Sequence, residues 1–256
     1  MSGGWTESST LATRLSNVTD RVSLLEKRAL ITGASRGIGR ATAVALAHEG
    51  ARVWGLARDA QALHRLQADH GVTPIVADLG DDADVWTALD ELVESSGGPP
   101  DIVVNAAGIF GIESIASESV RAFDDHLRIN TRGPFLVIRA LLPAMLARGS
   151  GLVVNVGSIS GWKAFPGNAA YSASKYGLKG LHEVLLEEIR GSGVRATLIE
   201  PAATDTGLWD PLDPDANPDL PGRADMLRPE DIADAVVFAA TRPGGVALPL
   251  LRVERG

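Results

Sequence analysis

Seven strand-sized apolar runs alternate with helix-sized amphipathic segments along the chain. They predict an α/β protein with a doubly wound, seven-stranded parallel sheet and helices on both faces. Parallel neighbours need crossover connections, and the stretches between the runs are long enough to supply them as helices. A length of 256 residues with 45% hydrophobic content suits one large domain better than two small ones.

The elements follow in order. The first strand, RALIT (28–32), ends at glycines and leads into GRATAVALAHEG (39–50), a helix with small and apolar residues at helical spacing and a closing glycine. A second strand, ARVWGLA (51–57), precedes the helix DAQALHRLQADH (59–70), and a third, TPIVADL (73–79), precedes DADVWTALDELVESS (82–96). The fourth strand, DIVVNAA (101–107), is followed by a long helical stretch from about Val120 to Ala147 and then by the strand GLVVNVGS (151–158). A helix beginning near Tyr171, the strand RATLIEP (195–201), the helix PEDIADAVVFAAT (229–241) and the strand VALPLLRV (246–253) complete the pattern.

Two segments fall outside it. Residues 1–26 are rich in Ser and Thr and read as a mobile N-terminal extension, with Leu11 to Leu25 able to form a short helix. The stretch 207–227 carries Pro211, Pro214, Pro218 and Pro221 among several aspartates and is too long for a plain connection. Because ligands of open α/β sheets bind at the carboxyl ends of the strands, this segment reads as a substrate lid. Its apolar surface comes from Leu208, Trp209, Leu212, Leu220 and Met226.

Composition excludes several classes. Without cysteine there is no disulfide framework, thiol nucleophile or thiolate metal site, and a reducing cytoplasm is the expected location. The five histidines lack ligand spacing, so no metal is expected, and a net charge of −8 argues against nucleic acid as a partner. No uninterrupted apolar run is long enough to span a bilayer, so no membrane is expected either.

Candidate binding residues gather at strand ends. TGASRGIG (32–39) lies between the first strand and the first helix. Gly33, Gly37 and Gly39 there let the backbone approach a pyrophosphate at a helix N-terminus, alongside Ser35, Arg36 and Ile38. The second strand ends in GLARD, with no acidic residue at its tip to bond a ribose 2′-hydroxyl. Arg58 and Arg36 form instead a two-arginine site suited to a 2′-phosphate, which favours NADP over NAD. Asp78, beside Leu79, is placed to accept from an adenine amine, and in NAAG (105–108) the small residues Ala106, Ala107 and Gly108 after Asn105 leave room for adenosine or ribose against the backbone.

YSASK (171–175) sets a phenol and an ammonium on one face of a helix. TGASRGIG, ADL, NAAG, Asn130 of RIN, Ser158 of GSISG, YSASK and EPAATDT (200–206) occur in the order and at the spacings of the short-chain dehydrogenase/reductase family. The chain resembles that family over about residues 27–253. The resemblance implies a Rossmann-type fold, a nicotinamide cofactor, a catalytic centre of Ser158, Tyr171 and Lys175 assisted by Asn130, and a homodimer or homotetramer packed through the long fourth and fifth helices. It also implies that Lys175 holds the nicotinamide ribose and that Asn130 helps hold a water chain. The spacing of thirteen residues to Tyr171 selects Ser158 over Ser160. Pro201, Thr204 and Thr206 become cofactor contacts, while Ala202 replaces the family's usual glycine at that point.

The residue types fit carbonyl reduction. A phenol near pH 7 is protonated and can donate, and a nearby ammonium lowers its pKa toward working pH. Ser158 would bond the substrate oxygen as negative charge develops. Ile109, Phe110, Ile112, Trp162 and Phe165, with lid residues Leu208 and Trp209, predict a mainly apolar substrate pocket. Glu183, Glu187 and Glu188 on the helix after Lys175 disfavour an acidic carrier protein, so a free hydrophobic ketone or alcohol is expected rather than a carrier-bound 3-oxoacyl thioester. A non-enzymatic NADP-binding regulator would have no need of the Ser158, Tyr171 and Lys175 set.

Overall fold

A computed structural model describes residues 21–256. Its seven strands are β1 (Arg28–Thr32), β2 (Arg52–Ala57), β3 (Thr73–Val76), β4 (Ile102–Asn105), β5 (Gly151–Val156), β6 (Val194–Pro201) and β7 (Leu250–Val253). They pair in the order β3-β2-β1-β4-β5-β6-β7, every pairing parallel. The strand order reverses between β1 and β4, and that switch point opens the crevice in which such sheets bind ligands.

Helices α1 (Gly37–His48), α2 (Ala60–His70), α3 (Asp82–Ser96), α4 (Val120–Leu127), α5 (Gly133–Arg148), α6 (Ala169–Glu188) and α7 (Pro229–Ala240) cover both faces. Local chemistry starts several of them. Asp59 accepts from the Ala62 amide, Asp81 from Ala83 and Asp84, and Ser119 from Ala122, each satisfying N–H groups that a helix start leaves unpaired. Alternation along the strands feeds two core layers. Ile31 and Val53 pack with Leu46 of α1 and Val236 of α7, whereas Leu30 and Leu56 pack with Leu89 of α3 and Leu141 of α5. No described helix is long and apolar enough to cross a membrane.

Three expectations need correction. The extension does not run to residue 26: Leu24 is buried in the core, the Val22 amide donates to Thr241 O, and Glu26 N donates to Gly50 O. The proposed helix Leu11–Leu25 lies largely outside the described residues, and its described end is not helical. The long stretch 120–147 is not one α-helix but α4 and α5 joined by a π-helical turn, Arg128–Arg132, which contains Asn130. A π-turn adds a residue to the coil and often marks a functional position.

Candidate active site

α6 carries the phenol and the ammonium. Lys175 is buried, and its Nζ donates to the carbonyl of Val156 at the end of β5, 2.9 Å away. Its nitrogen lies 5.7 Å from the centre of the half-buried Tyr171 ring. Ser158 lies two residues past the end of β5 and is itself buried; its Oγ accepts from Ser160 N at 3.1 Å, fixing the hydroxyl at the start of a short 3-10 turn. Ser158, Tyr171 and Lys175 all line one cavity of about 940 Å³.

Burial decides the electrostatics of this pair. It pushes the Tyr171 phenol above its ordinary value, with the Ser158 side chain pulling the other way, and it lowers Lys175 to about 8. The expectation that the ammonium depresses the phenol is therefore corrected: desolvation penalises both charged forms, and for the phenol it outweighs the local attractions. The arrangement holds a protonated phenol beside an amine that gives up its proton just above neutral pH.

Asn130 is fully buried, and its amide bridges three elements. Its Oδ1 accepts from Ile109 N at 2.8 Å, and its Nδ2 donates to Ile109 O at 2.9 Å and to Ser174 Oγ at 3.0 Å. Both amide hydrogens are thus engaged with protein groups. The side chain clamps the loop after β4 to α6 and does not line the cavity.

A second cavity of about 280 Å³ lies at the switch point. It is bounded by Gly33, Ser35, Arg36, Gly37, Ile38 and Gly39 from the first loop, by Arg58, Asp78, Leu79, Ala106, Ala107 and Gly108, and by Thr206. Gly37 has φ +54°, and a Cβ there would stand 3.1 Å from Thr206 Cγ2. The start of α1 has no side-chain cap and no acidic residue in its first turn, so its free N–H groups face an anion-sized space. Loop, bare helix start and flanking arginines together fit a dinucleotide. Arg58 reaches Asp78 at 3.7 Å while Asp78 Oδ1 accepts from Gly80 N, so one carboxylate oxygen orders the turn and the other faces the arginine.

Pro201, Ala202, Thr204 and Thr206 line the larger cavity, between the cofactor side and the lid. Ala202 keeps the chain in register here, its amide donating to Val253 O at 2.9 Å. Asn105 was expected among the cofactor contacts; it is buried, lines neither cavity, and donates to Asn155. The sequence reading missed Asp125, Arg128 and Ile129, which line the smaller cavity from the α4 end; they carry no motif, and only the turn at 128–132 brings them there.

The 207–227 segment, expected as a lid, borders the larger cavity. Leu208, Trp209, Leu212 and Leu220 line it, as do Phe110, Ile112 and Phe165 from the opposite side. Met226, expected with them, is buried and not part of the lining, because Leu227 N bonds Ala203 O and draws that end of the segment into the fold. Trp162, expected in the pocket, instead packs under the Arg252 guanidinium at 4.2 Å. Arg223 binds Asp205 and Asp210 together, which ties the end of the 207–227 segment to its start.

A model of the short-chain dehydrogenase family matches residues 27–217. Glycine betaine reductase of Emericella nidulans is 34% identical over 98% of this chain, which spans only 20% of that protein's length. D-threitol dehydrogenase of Mycolicibacterium smegmatis is 37% identical over 84% of this chain and 86% of its own. Among solved structures, a metagenomic short-chain oxidoreductase in complex with NADP superposes with a TM-score of 0.78 at 30% identity, over 91% of this chain and 99% of that one. With its parallel sheet in this order and its family motifs at the strand ends, the chain belongs to the short-chain dehydrogenase/reductase family, oxidoreductases acting on CH–OH and C=O groups.

Proposed function

We propose that the protein is an NADP-dependent carbonyl reductase, or the reverse alcohol dehydrogenase, for a small and mainly hydrophobic substrate. The observation that carries this reading is the convergence of Ser158, Tyr171 and Lys175 on one cavity whose remaining walls are largely apolar. A bound nicotinamide supplies the hydride. Ser158 holds the substrate oxygen, Tyr171 gives it a proton as it becomes an alkoxide, and Lys175 steadies the phenolate left behind. Asn130 keeps the loop after β4 and the helix α6 at a fixed distance.

Arg36 and Arg58 border the adenosine end of the smaller cavity, which supports a 2′-phosphate there. The relative named D-threitol dehydrogenase acts on a polyol. Phe110, Ile112, Phe165, Trp209 and Leu220 in the walls favour a ketone with an apolar substituent, and Asn217 and Asp219 are polar points among them. Exposed Val120 and Phe123 on α4, Phe135 and Leu146 on α5, and Tyr176 and Val184 on α6 support a homo-oligomer packed through the 120–147 stretch and the helix that carries Tyr171.

The test is loss of NADPH absorbance with a panel of ketones and aldehydes after dialysis. Turnover of apolar ketones is expected. Inertness across the panel, or a preference for polyols with NAD, overturns the reading.

A further inference from the structure

A run of polar side chains crosses the interior where only apolar packing is expected. Asn105 at the end of β4 stands opposite Asn155 on β5 in the strand register, and its Nδ2 donates to Asn155 Oδ1 at 2.9 Å. Asn155 Nδ2 meets His182 Nδ1 on α6 at 3.2 Å, and His182 Nε2 meets the carbonyl of Pro249 at 3.0 Å, just before β7. All three side chains are buried, none more than 2% exposed.

The directions of these bonds follow from chemistry. A carbonyl only accepts, so His182 Nε2 carries a hydrogen. In a neutral ring Nδ1 then accepts from the Asn155 amide, whose oxygen is left to accept from Asn105. Neutrality fits the site, because burial lowers the His182 pKa; the Pro249 carbonyl and the neighbouring Glu183 act in the opposite sense and are weaker. The ladder is therefore oriented from end to end, and Asn105 Oδ1 at its head has no partner.

Its position on α6 links it to the reaction. Tyr171, Lys175, Leu178 and His182 recur at helical spacing along one face of α6. Lys175 reaches the carbonyl of Val156 and His182 reaches the side chain of Asn155, so consecutive residues of β5 hold the helix at two points about two turns apart. The loop that begins at Ala106 hangs from the same ladder through Asn105. We propose that His182 is a positioning residue: through Asn155 it seats α6, and with it Tyr171 and Lys175, on the strand that leads to Ser158. This rests on the reading that Tyr171 and Lys175 carry the proton transfer.

Replacing His182 by Leu leaves Asn155 Nδ2 and Pro249 O without partners inside the fold. His182→Leu is expected to lower kcat by about tenfold to a hundredfold, as a catalytic group held loosely does. The NADPH dissociation constant from fluorescence titration should stay within about twofold. A loosened α6 also exposes Lys175, so the alkaline midpoint of the rate should rise from about 8. His182→Asn, which can present an acceptor where Nδ1 stood, should recover most of the rate. A folded His182→Leu protein with the parent kcat and the parent midpoint overturns the proposal.

Should that variant not fold, nitrogen-15 spectra of labelled histidine in the unmodified protein decide at pH 7. A neutral, hydrogen-bonded Nε2–H tautomer is expected; an Nδ1–H tautomer or an imidazolium removes the ladder. If the unmodified protein reduces no carbonyl, the proposed function fails on that result alone, while the spectra still read the ladder.

Discussion

The ring of Phe110 meets the ring of Tyr171 edge-on, with centroids 4.8 Å apart and planes at 75°. On its other side Phe110 packs against Trp209 of the lid at 4.9 Å, and the Trp209 indole N–H donates to Thr204 O. An aromatic wall therefore joins the lid to the phenol. Phe110→Ala removes its centre. An edge-to-face pair is worth about 0.5–1.5 kcal/mol, so KM for an apolar ketone should rise about threefold to tenfold, with a smaller loss in kcat. Steady-state kinetics on one aryl ketone and one short aliphatic ketone check this; equal KM values in parent and variant for both would remove the wall from recognition.

Tyr171→Phe keeps the ring and its contact with Phe110 but loses the hydroxyl. Turnover should fall by about 10²–10⁴-fold, the range for a general acid, with NADPH binding largely spared. Ser158→Ala should lose about 10²–10³-fold in kcat, as when one donor to a developing oxyanion is removed. Near-parent rates in either variant contradict the assigned roles.

The pH dependence follows from Lys175. Its ammonium is present below about 8 and lost above it, while the phenol, raised by burial, stays protonated through that range. Carbonyl reduction should be level near neutrality and decline as pH rises through about 8. Alcohol oxidation draws on the small phenolate fraction, so it should increase with pH up to about 8 and level off above it, where the Lys175 ammonium that steadies the phenolate is lost. Rates in both directions from pH 6 to 10 test this, and parallel profiles would count against it.

Arg58 bears on cofactor choice. Its side chain is 68% exposed, and its partner Asp78 competes with an incoming phosphate for it. Solvent weakens the contact, so Arg58→Ala should reduce the NADPH preference over NADH by about tenfold and not abolish it. Dissociation constants for both cofactors in parent and variant provide the measurement, and equal affinities in the parent refute a 2′-phosphate site.

The clasp on the 207–227 segment is a fifth test. Arg223 holds Asp205 and Asp210 across the segment. Arg223→Ala should raise KM for the ketone and make the 207–227 segment more susceptible to limited proteolysis, with little change in global stability, because partly exposed pairs contribute about 0–1 kcal/mol. A protease pattern identical to the parent's would show that the clasp does not hold the lid.

Much of the fold was legible because its signals are local. Apart from the stretch 120–147, each apolar run became one strand or one helix within a few residues of its expected limits, with β3, β4 and β7 shorter than read. The π-turn at Asn130 was not legible, since Arg128 to Arg132 have ordinary helical composition and only packing against Ser174 and Ile109 calls for the extra residue. Likewise Asn105 was read at the end of the fourth strand as a cofactor contact, yet strand register sets it opposite Asn155, where it is buried.

By itself the sequence determined the alternating sheet architecture, the glycine turn before α1 and the spacing that sets Ser158, Tyr171 and Lys175 in one family pattern, because these depend on periodicity and on residue type. Only the tertiary structure decided the electrostatic state of that set. Desolvation depends on what surrounds a group, so the phenol expected to fall is raised and the lysine meant to depress it is itself brought down to about 8. It also decided that His182, an unremarked position in the linear chain, meets Asn155 across the helix–sheet boundary. Such contacts exist only once distant segments have packed.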